Sequence, residues 1–231
     1  MHKLLLVLAL FCFSTLTQAA PIATISQLVG ILHVVKANGD TVLLGKGSTL
    51  DEGDTATTGK DSFARFKLID GGEMTLRPET SIKVERYNFV ESAPAQDQSV
   101  FNLIKGGFRM VTGLISKRGD KRAFNLHTST ATIGIRGTDF FTRHCGENDC
   151  VGKKRGTHTH TNEGGINLAN KFGEIACDAG ESCFSSDSEA PSKEDAATDD
   201  VAPFDLPLPF LDDEGTDGGN SGLGCPCRLH G

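Results

Sequence analysis

Six cysteines of this chain stand as three close pairs, and thiols at such spacing can form disulfides or bind a soft metal. The pairs are Cys145 with Cys150, Cys177 with Cys183, and Cys225 with Cys227. An even number of cysteines in an exported chain is typical of disulfides, and local pairing is the simplest of the 15 connectivities that six cysteines allow. We therefore predict the disulfides Cys145–Cys150 and Cys177–Cys183, each closing the tip of a hairpin.

Histidines near the first cysteine pair offer a different chemistry. His144 precedes Cys145, and His158 and His160 would share one face of a strand, because alternate residues of a strand point the same way. Imidazole and thiolate groups are ligands of zinc and copper. A Cys/His metal site is therefore the alternative to the Cys145–Cys150 disulfide, which the oxidising compartment and the hairpin spacing favour.

The C-terminal Cys225-Pro226-Cys227 lies close to His230. Two thiols and an imidazole could hold a soft metal, and two neighbouring thiols could exchange disulfides. A ring closed across one proline is strained, so a bridge to a second molecule is the third interpretation. Cys225, Cys227 and His230 are the candidate metal ligands of the chain, and all three interpretations stay open.

Nucleophilic catalysis requires a serine or cysteine beside a base. Ser129 lies near His127, but neither residue sits in a recognisable nucleophile turn, and the cysteines are explained by bridges. We predict no catalytic residues and no cofactor, and therefore no enzyme.

The N-terminus determines the expected compartment. Lys3 is followed by an apolar run of about 10 residues, whereas a membrane span needs about 20. Small residues then provide a cleavage site after Ala19 or Ala20, so residues 1–20 are predicted to be a secretory signal peptide. The mature chain is expected to be periplasmic or secreted, without a membrane span.

Charge is distributed unevenly along the mature chain. Residues 21–184 carry 20 Lys and Arg against 19 Asp and Glu, whereas residues 185–231 carry 2 against 11. A neutral body argues against nucleic acid as a partner, because phosphate binding needs a basic surface. The short basic runs 117–122 and 153–155 could hold an acidic partner such as an anionic glycan, lipid headgroups or the chain's own acidic tail.

The elements that must position these residues are short strands. Apolar and polar residues alternate between turns that recur every 8–12 residues, which is typical of all-β domains. In residues 62–69, Phe63, Arg65 and Lys67 point one way while Phe66 and its neighbours point the other. We predict one all-β domain at residues 21–184, a β-sandwich or β-roll of many short strands.

A disordered acidic tail is predicted at residues 185–231, because the first part of this segment has little to bury. Within it, residues 201–211 (VAPFDLPLPFL) form an apolar stretch spaced by prolines. Such a stretch is typical of an extended docking peptide, and the alternative is an inert spacer.

Several motifs in the predicted strands resemble the FecR-like domain family. They are Leu50-x-x-Gly53-Asp54-Thr55-x-x-Thr58-Gly59, Leu68-Ile69-Asp70-Gly71, Met74-x-Leu76-x-Pro78, Gly106-Gly107 and Arg136-Gly137-Thr138-Asp139-Phe140. The motif residues taken as fold markers are Gly53, Asp54, Thr58, Gly59, Asp70, Gly71, Pro78, Gly107, Arg136, Gly137 and Thr138. For Arg136 we expect a structural role, its guanidinium tying strands together through carbonyls or a carboxylate such as Asp139.

The resemblance implies an exported β-domain that engages other components of the envelope. Well-known members of the family are membrane-spanning regulators that bind a sigma factor inside the cell, and this chain shows neither the span nor the cytoplasmic helical region, so the anti-sigma role is not expected here. We predict a non-catalytic binding or scaffold module that engages an envelope protein in assembly or signalling. The alternatives are a metal- or redox-handling protein and a glycan-binding module, although a chain with no Trp and only Tyr87 has few platforms for stacking sugars.

Overall fold

The computed structural model describes residues 20–194, apart from residues 121, 148, 149, 151 and 152. Almost every element in this part of the chain is a strand, which confirms the all-β prediction. One turn of 3-10 helix spans Pro94–Gln96. The strands are β1 Ala23–Val29, β2 Leu32–Val35, β3 Thr41–Leu43, β4 Thr49–Leu50, β5 Thr55–Thr58, β6 Phe63–Leu68, β7 Glu73–Leu76, β8 Ser81–Asn88, β9 Gln98–Val111, β10 Phe124–His127, β11 Thr132–Cys145, β12 Gly156–Asn170, β13 Gly173–Asp178, β14 Ser182–Ser185 and β15 Ser192–Glu194.

All 15 strands belong to one mixed sheet, and β9 is its centre. The first half of β9 pairs with β8 and runs parallel to β10, whereas its second half pairs with β7 and β11. Gly106 lies where these two halves meet, with φ +83°, a conformation that suits glycine. Gly106 and Gly107 therefore mark the point at which the partners of β9 change from β8 and β10 to β7 and β11.

The core lies on one side of these strands. In β6 the side chains of Ala64, Phe66 and Leu68 are buried in it, as the alternation predicts, and Phe108 and Phe140 pack edge to face beside them. Burial of such side chains is the main favourable contribution to folding, at about 25 cal/mol per Å² of apolar surface. Residues on the opposite side of the same strands are consequently left to interact with something other than the core.

The strands β13 and β14 form one interrupted strand. The strand β12 pairs along its length with β11 on one side, so β13 and β14 follow each other on its other side. Cys177 and Cys183 are disulfide-bonded across the interruption. This disulfide therefore joins the two ends of the bulge between β13 and β14. The prediction that it closes the tip of a hairpin is wrong.

The sheet continues past Phe184, where the sequence predicts the domain to end. Residues of β15 pair antiparallel with β14, and Lys193 forms an ion pair with Glu181. Backbone pairing at a sheet edge needs no apolar side chain, which is why a polar segment can join the sheet. Across the residues that the structure describes, no helix is long and apolar enough to cross a membrane.

Candidate binding face

Hydrogen bonds connect motif residues that are far apart in the sequence at a buried junction of strands and turns. We call this junction, and two others like it, a corner of the fold. The Thr58 hydroxyl donates to the carbonyl of Arg77 (2.5 Å) and accepts from the N–H of Thr80 (3.0 Å). The Thr80 hydroxyl in turn bonds both the carbonyl and the N–H of Gly107 at 2.9 and 3.0 Å. This network ties β5, the turn after β7, and β9 together.

Gly59 and Pro78 belong to the same corner. The N–H of Gly59 donates to the carbonyl of Ile31, and its own carbonyl accepts from the N–H of Glu79. Pro78 follows Arg77, the first residue after β7, and because proline offers no N–H the pairing does not continue beyond Arg77. Both residues shape the backbone.

Asp70 organises a second corner. One carboxylate oxygen accepts from the N–H of Gly72 (3.0 Å) and the other from the N–H of Ile115 (3.2 Å), and the residue is only 5 % exposed. Gly113 approaches this carboxylate so closely that a Cβ there would collide with it. Gly71 takes φ +84° in the turn between β6 and β7, so the Asp70-Gly71 motif builds this turn and anchors residues 113–115 to it.

Asp54 anchors the third corner with Lys36. Its buried carboxylate accepts from Lys36 Nζ (2.5 Å) and from the N–H of Asp51 (2.9 Å). Burial disfavours the charge on Lys36, but its hydrogen bonds to Asp51 and Asp54 outweigh burial and raise the pKa of Lys36. Gly53, at φ +89°, lies against Ala37, where a Cβ would come within 2.8 Å.

The Arg136-Gly137-Thr138 motif forms a bulge between β11 and β12. Thr138 is buried, and its hydroxyl donates to the carbonyl of Gly165 (2.9 Å), while its N–H donates to the Thr112 hydroxyl (2.7 Å). Gly137 has φ +60°, which suits glycine. Arg136 is exposed and lines an open cleft with Lys117.

Asp139 pairs with an arginine other than Arg136. Its two carboxylate oxygens accept from Nε and a terminal nitrogen of Arg109, at 3.0 and 2.8 Å, and Asn162 donates to the same carboxylate (3.2 Å). Arg136 makes no hydrogen bond or ion pair with the described residues. Our expectation that Arg136 binds Asp139 is therefore replaced by the Arg109–Asp139 pair, which joins β9 to β11.

The cysteines and histidines of the described chain form bonds that do not make a metal site. Cys145 and Cys150 are disulfide-bonded at the end of β11, so their sulfurs are not thiolate ligands. Within the residues that the structure describes, no three His, Cys, Asp or Glu side chains are placed to hold a metal ion. The candidate ligands Cys225, Cys227 and His230 lie outside the described residues and remain a prediction.

Ser129 contacts His144, whereas the sequence suggests His127 as its neighbour. The Ser129 hydroxyl lies 2.9 Å from His144 Nε2, and His144 Nδ1 lies 3.1 Å from the Thr157 hydroxyl. In a serine hydrolase the third group is a carboxylate that stabilises the imidazolium. Thr157 carries no charge, and its hydroxyl is shared with Thr130 at 2.7 Å, so this hydroxyl network fits a structural tie between β11, β12 and the segment 128–131.

The face opposite the core carries arginine and aromatic side chains in register across six strands. Cross-strand partners lie on the same side of a sheet. Pairing runs from Arg65 to Thr75, from Thr75 to Arg109, from Arg109 to Phe141 and from Phe141 to His160. The neighbouring row contains Phe63, Arg77, Gly107, Arg143, His158 and Phe184. We call these side chains, from Phe63 on β6 to Phe184 on β14, the arginine face.

A cleft lies beside Gly107 in the middle of the arginine face. Gly107 is paired with Arg143, and the backbone N–H of Arg77 donates to its carbonyl (3.0 Å). A Cβ on Gly107 would lie 2.8 Å from the carbonyl oxygen of Thr142, so this position has no room for a side chain. The cleft beside Gly107 has a volume of about 360 Å³, and Arg77, Arg143 and Lys105 line it. Such a cleft suits an anionic group, because guanidinium groups bind carboxylates through paired hydrogen bonds.

Aromatic rings of the face lie beside cations. The Arg109 guanidinium stands 5.5 Å from the centre of the Phe141 ring, and Lys154 Nζ stands 5.7 Å from that of Phe184. His158 packs on Phe184 with ring centres 4.7 Å apart. The face thus places cations against aromatic rings that are themselves buried.

The edge of the face is closed by Glu194 of β15. Its carboxylate accepts from His158 Nδ1 (2.9 Å), while Nε2 of the same ring lies 2.9 Å from the carbonyl of Lys154. Both contacts are hydrogen bonds when the imidazole carries two protons. Burial raises the pKa of Glu194, but the hydrogen bond and charge of His158, with Lys153 and Lys154, lower it to below its usual range.

The lowered pKa of Glu194 predicts a pH-dependent contribution to stability. A carboxyl group with a lowered folded-state pKa stabilises the fold above its unfolded pKa and ceases to do so as pH falls through the folded value. We expect Glu194→Gln to lower the free energy of unfolding by about 1 kcal/mol at pH 6. The difference from wild type should shrink as the pH is lowered from 6 to 3, measured by urea unfolding at both values, and an equal difference at both would contradict this assignment.

Sequence analysis identified the fold markers but missed Arg77, Arg109 and Arg143. A signal for the face was present, since Phe63 and Arg65 alternate with core residues in one strand, as do His158 and His160 in another. The cross-strand register that places these strands side by side is a long-range property that the sequence pattern does not show.

Comparison with protein families gives one match, the FecR protein family, over residues 54–166. A comparison with curated proteins finds no match. Among solved structures, two crystal structures, at 1.65 and 2.50 Å, of a "putative anti-sigma factor" from Parabacteroides distasonis ATCC 8503 are similar, with 13 % and 14 % identity and a TM-score of 0.45. Each similarity covers 62 % of this chain and 60 % of the other. The fold markers Asp54, Thr58, Asp70, Gly107 and Thr138 lie within residues 54–166, the part of this chain that matches the FecR family.

Proposed function

We propose that this chain is a non-catalytic binding module of the bacterial envelope, periplasmic or secreted, that engages an envelope protein in assembly or signalling. A FecR domain is in keeping with a regulatory or signalling module. The observation that carries the proposal is the arginine face, where four arginines alternate with aromatic rings around an open cleft.

The chemistry of the face indicates what kind of segment the partner presents. Arginine forms bidentate hydrogen bonds with carboxylates and stacks on aromatic rings. Phe63 is half-buried and supplies apolar surface beside the cations, with the buried rings of Phe141 and Phe184 beneath them. An extended acidic segment with interspersed apolar side chains is the ligand that satisfies both features, and a strongly charged glycan would use the cations alone.

The two disulfides support an oxidising compartment, since disulfides persist in the periplasm and outside the cell. The predicted signal peptide, residues 1–20, agrees with this compartment but lies almost entirely outside the described residues.

Photo-cross-linking in cells tests the proposal. We expect p-benzoylphenylalanine in place of Phe63, on the arginine face, to give a discrete adduct heavier than the chain by the mass of one protein. The matched control carries the same group in place of Leu43, which is 68 % exposed on β3 in the other part of the sheet. Adducts from Leu43 alone, or the same adducts from both positions, would show that the partner binds elsewhere.

A further inference from the structure

The described chain ends at the border of the arginine face. Glu194, on edge strand β15, is its last residue, and its carboxylate bonds His158, which belongs to the face. Ser192 pairs with Phe184, and Phe184 with His158. The residues that follow Glu194 therefore start beside the cations of the face.

The segment after Glu194 combines acidic and apolar residues, which is the chemistry that the arginine face would bind. Residues 195–214 contain seven Asp and Glu and no Lys or Arg. Residues 201–211 add the apolar side chains of Phe204, Leu206, Leu208 and Phe210, with prolines at 203, 207 and 209. Prolines favour an extended backbone without internal hydrogen bonds, which presents side chains to a surface at little further cost in conformational entropy.

The connecting residues are long enough to bring this segment over the cleft. An extended chain spans about 3.3 Å per residue, so Val201 can lie about 23 Å from Glu194. Four strand spacings separate β15 from β9 along the path β15-β14-β12-β11-β9, and at about 4.8 Å each they amount to about 19 Å. Residues 201–211 can therefore cover the strands that carry Arg143, Arg109 and Arg77.

We propose that residues 201–211 dock across the arginine face of their own chain, with the Asp205 carboxylate in the cleft between Arg77 and Arg143 and with Phe204 and Phe210 against the aromatic rings. This inference rests on the proposed function, because it names the chemistry of the ligand that the same face takes. A tethered segment acts at an effective concentration of order millimolar. An external partner must therefore displace the segment, which makes the chain's own tail a competitor for its binding face.

Peptide binding to the full mature chain tests this inference. The probe is a fluorescently labelled peptide of residues 199–213, titrated against wild type and against the variant Phe204→Ser/Phe210→Ser. We expect the peptide to bind this variant at least 10-fold more tightly than wild type, because the wild-type face is already covered. Adding Arg77→Gln and Arg143→Gln to the variant should weaken peptide binding at least 10-fold, whereas adding Lys83→Gln and Arg86→Gln, exposed on β8, should leave it unchanged.

The inference would be overturned if the peptide bound wild type and the Phe204→Ser/Phe210→Ser variant with equal affinity. It would also be overturned if the Arg77→Gln and Arg143→Gln substitutions left the affinity of the peptide unchanged. If the peptide fails in this way while the cross-link from position 63 still yields a protein adduct, the proposed function stands without the self-docking. If the peptide behaves as expected and no adduct forms, the face binds its own segment and the proposed partner binding is wrong.

Discussion

Replacing Asp70 with alanine should lower the free energy of unfolding by about 3–5 kcal/mol. The substitution removes the acceptor of two backbone N–H groups, those of Gly72 and Ile115, at a buried site. An unsatisfied buried donor costs about 1–3 kcal/mol, and hydrogen bonds to a charged group lie at the upper end. Urea unfolding followed by circular dichroism measures the loss.

The control for this prediction is Asp178→Ala. Asp178 is exposed at the end of β13, so its replacement should change the free energy of unfolding by less than about 0.5 kcal/mol. A similar small change for Asp70→Ala would mean that the Asp70 corner does not hold residues 113–115 to the turn after β6.

The arrangement of the core could be predicted from the sequence because it follows from local alternation. Phe66 and Leu68 are buried and Arg65 lies on the opposite side, as the period of two requires. The turns at Gly53 and Gly71 could be predicted as well, since both glycines adopt positive φ. Each of these features is determined within a few residues of chain.

Features that depend on long-range pairing could not be predicted. The bulge between β13 and β14 exists because both strands share one side of β12, and the spacing of Cys177 and Cys183 fits a hairpin tip equally well. Likewise β15 joins the sheet through backbone pairing and the Glu194–His158 contact, which a composition rich in polar residues does not reveal. The sequence pattern therefore predicts residues 185–194 to be part of the disordered tail.

The Arg136 motif shows the same limit for a binding face. Arg136 and Asp139 are close in sequence, so a local pair was the natural expectation. The bulge at Gly137-Thr138 separates them, and Asp139 meets Arg109 from a strand 30 residues earlier. A motif can thus mark the fold while the arginines of the proposed binding face are residue types that no motif specifies.

The central claim is that the arginine face is the surface that binds the partner, and the affinity of the cross-linked partner for Arg77→Gln/Arg143→Gln tests it most directly. Both substitutions keep a polar side chain at the mouth of the cleft but remove the two charges beside Gly107. Breaking charged hydrogen bonds in a binding site costs about 1.5–3 kcal/mol each, so we predict that the Kd rises at least 10-fold. Lys83→Gln/Arg86→Gln, which removes two exposed charges from β8, should leave the Kd within about 2-fold of wild type, since surface charges away from an interface contribute little. With the unfolding temperatures of all three proteins matched, an unchanged Kd for Arg77→Gln/Arg143→Gln would contradict the assignment of the arginine face.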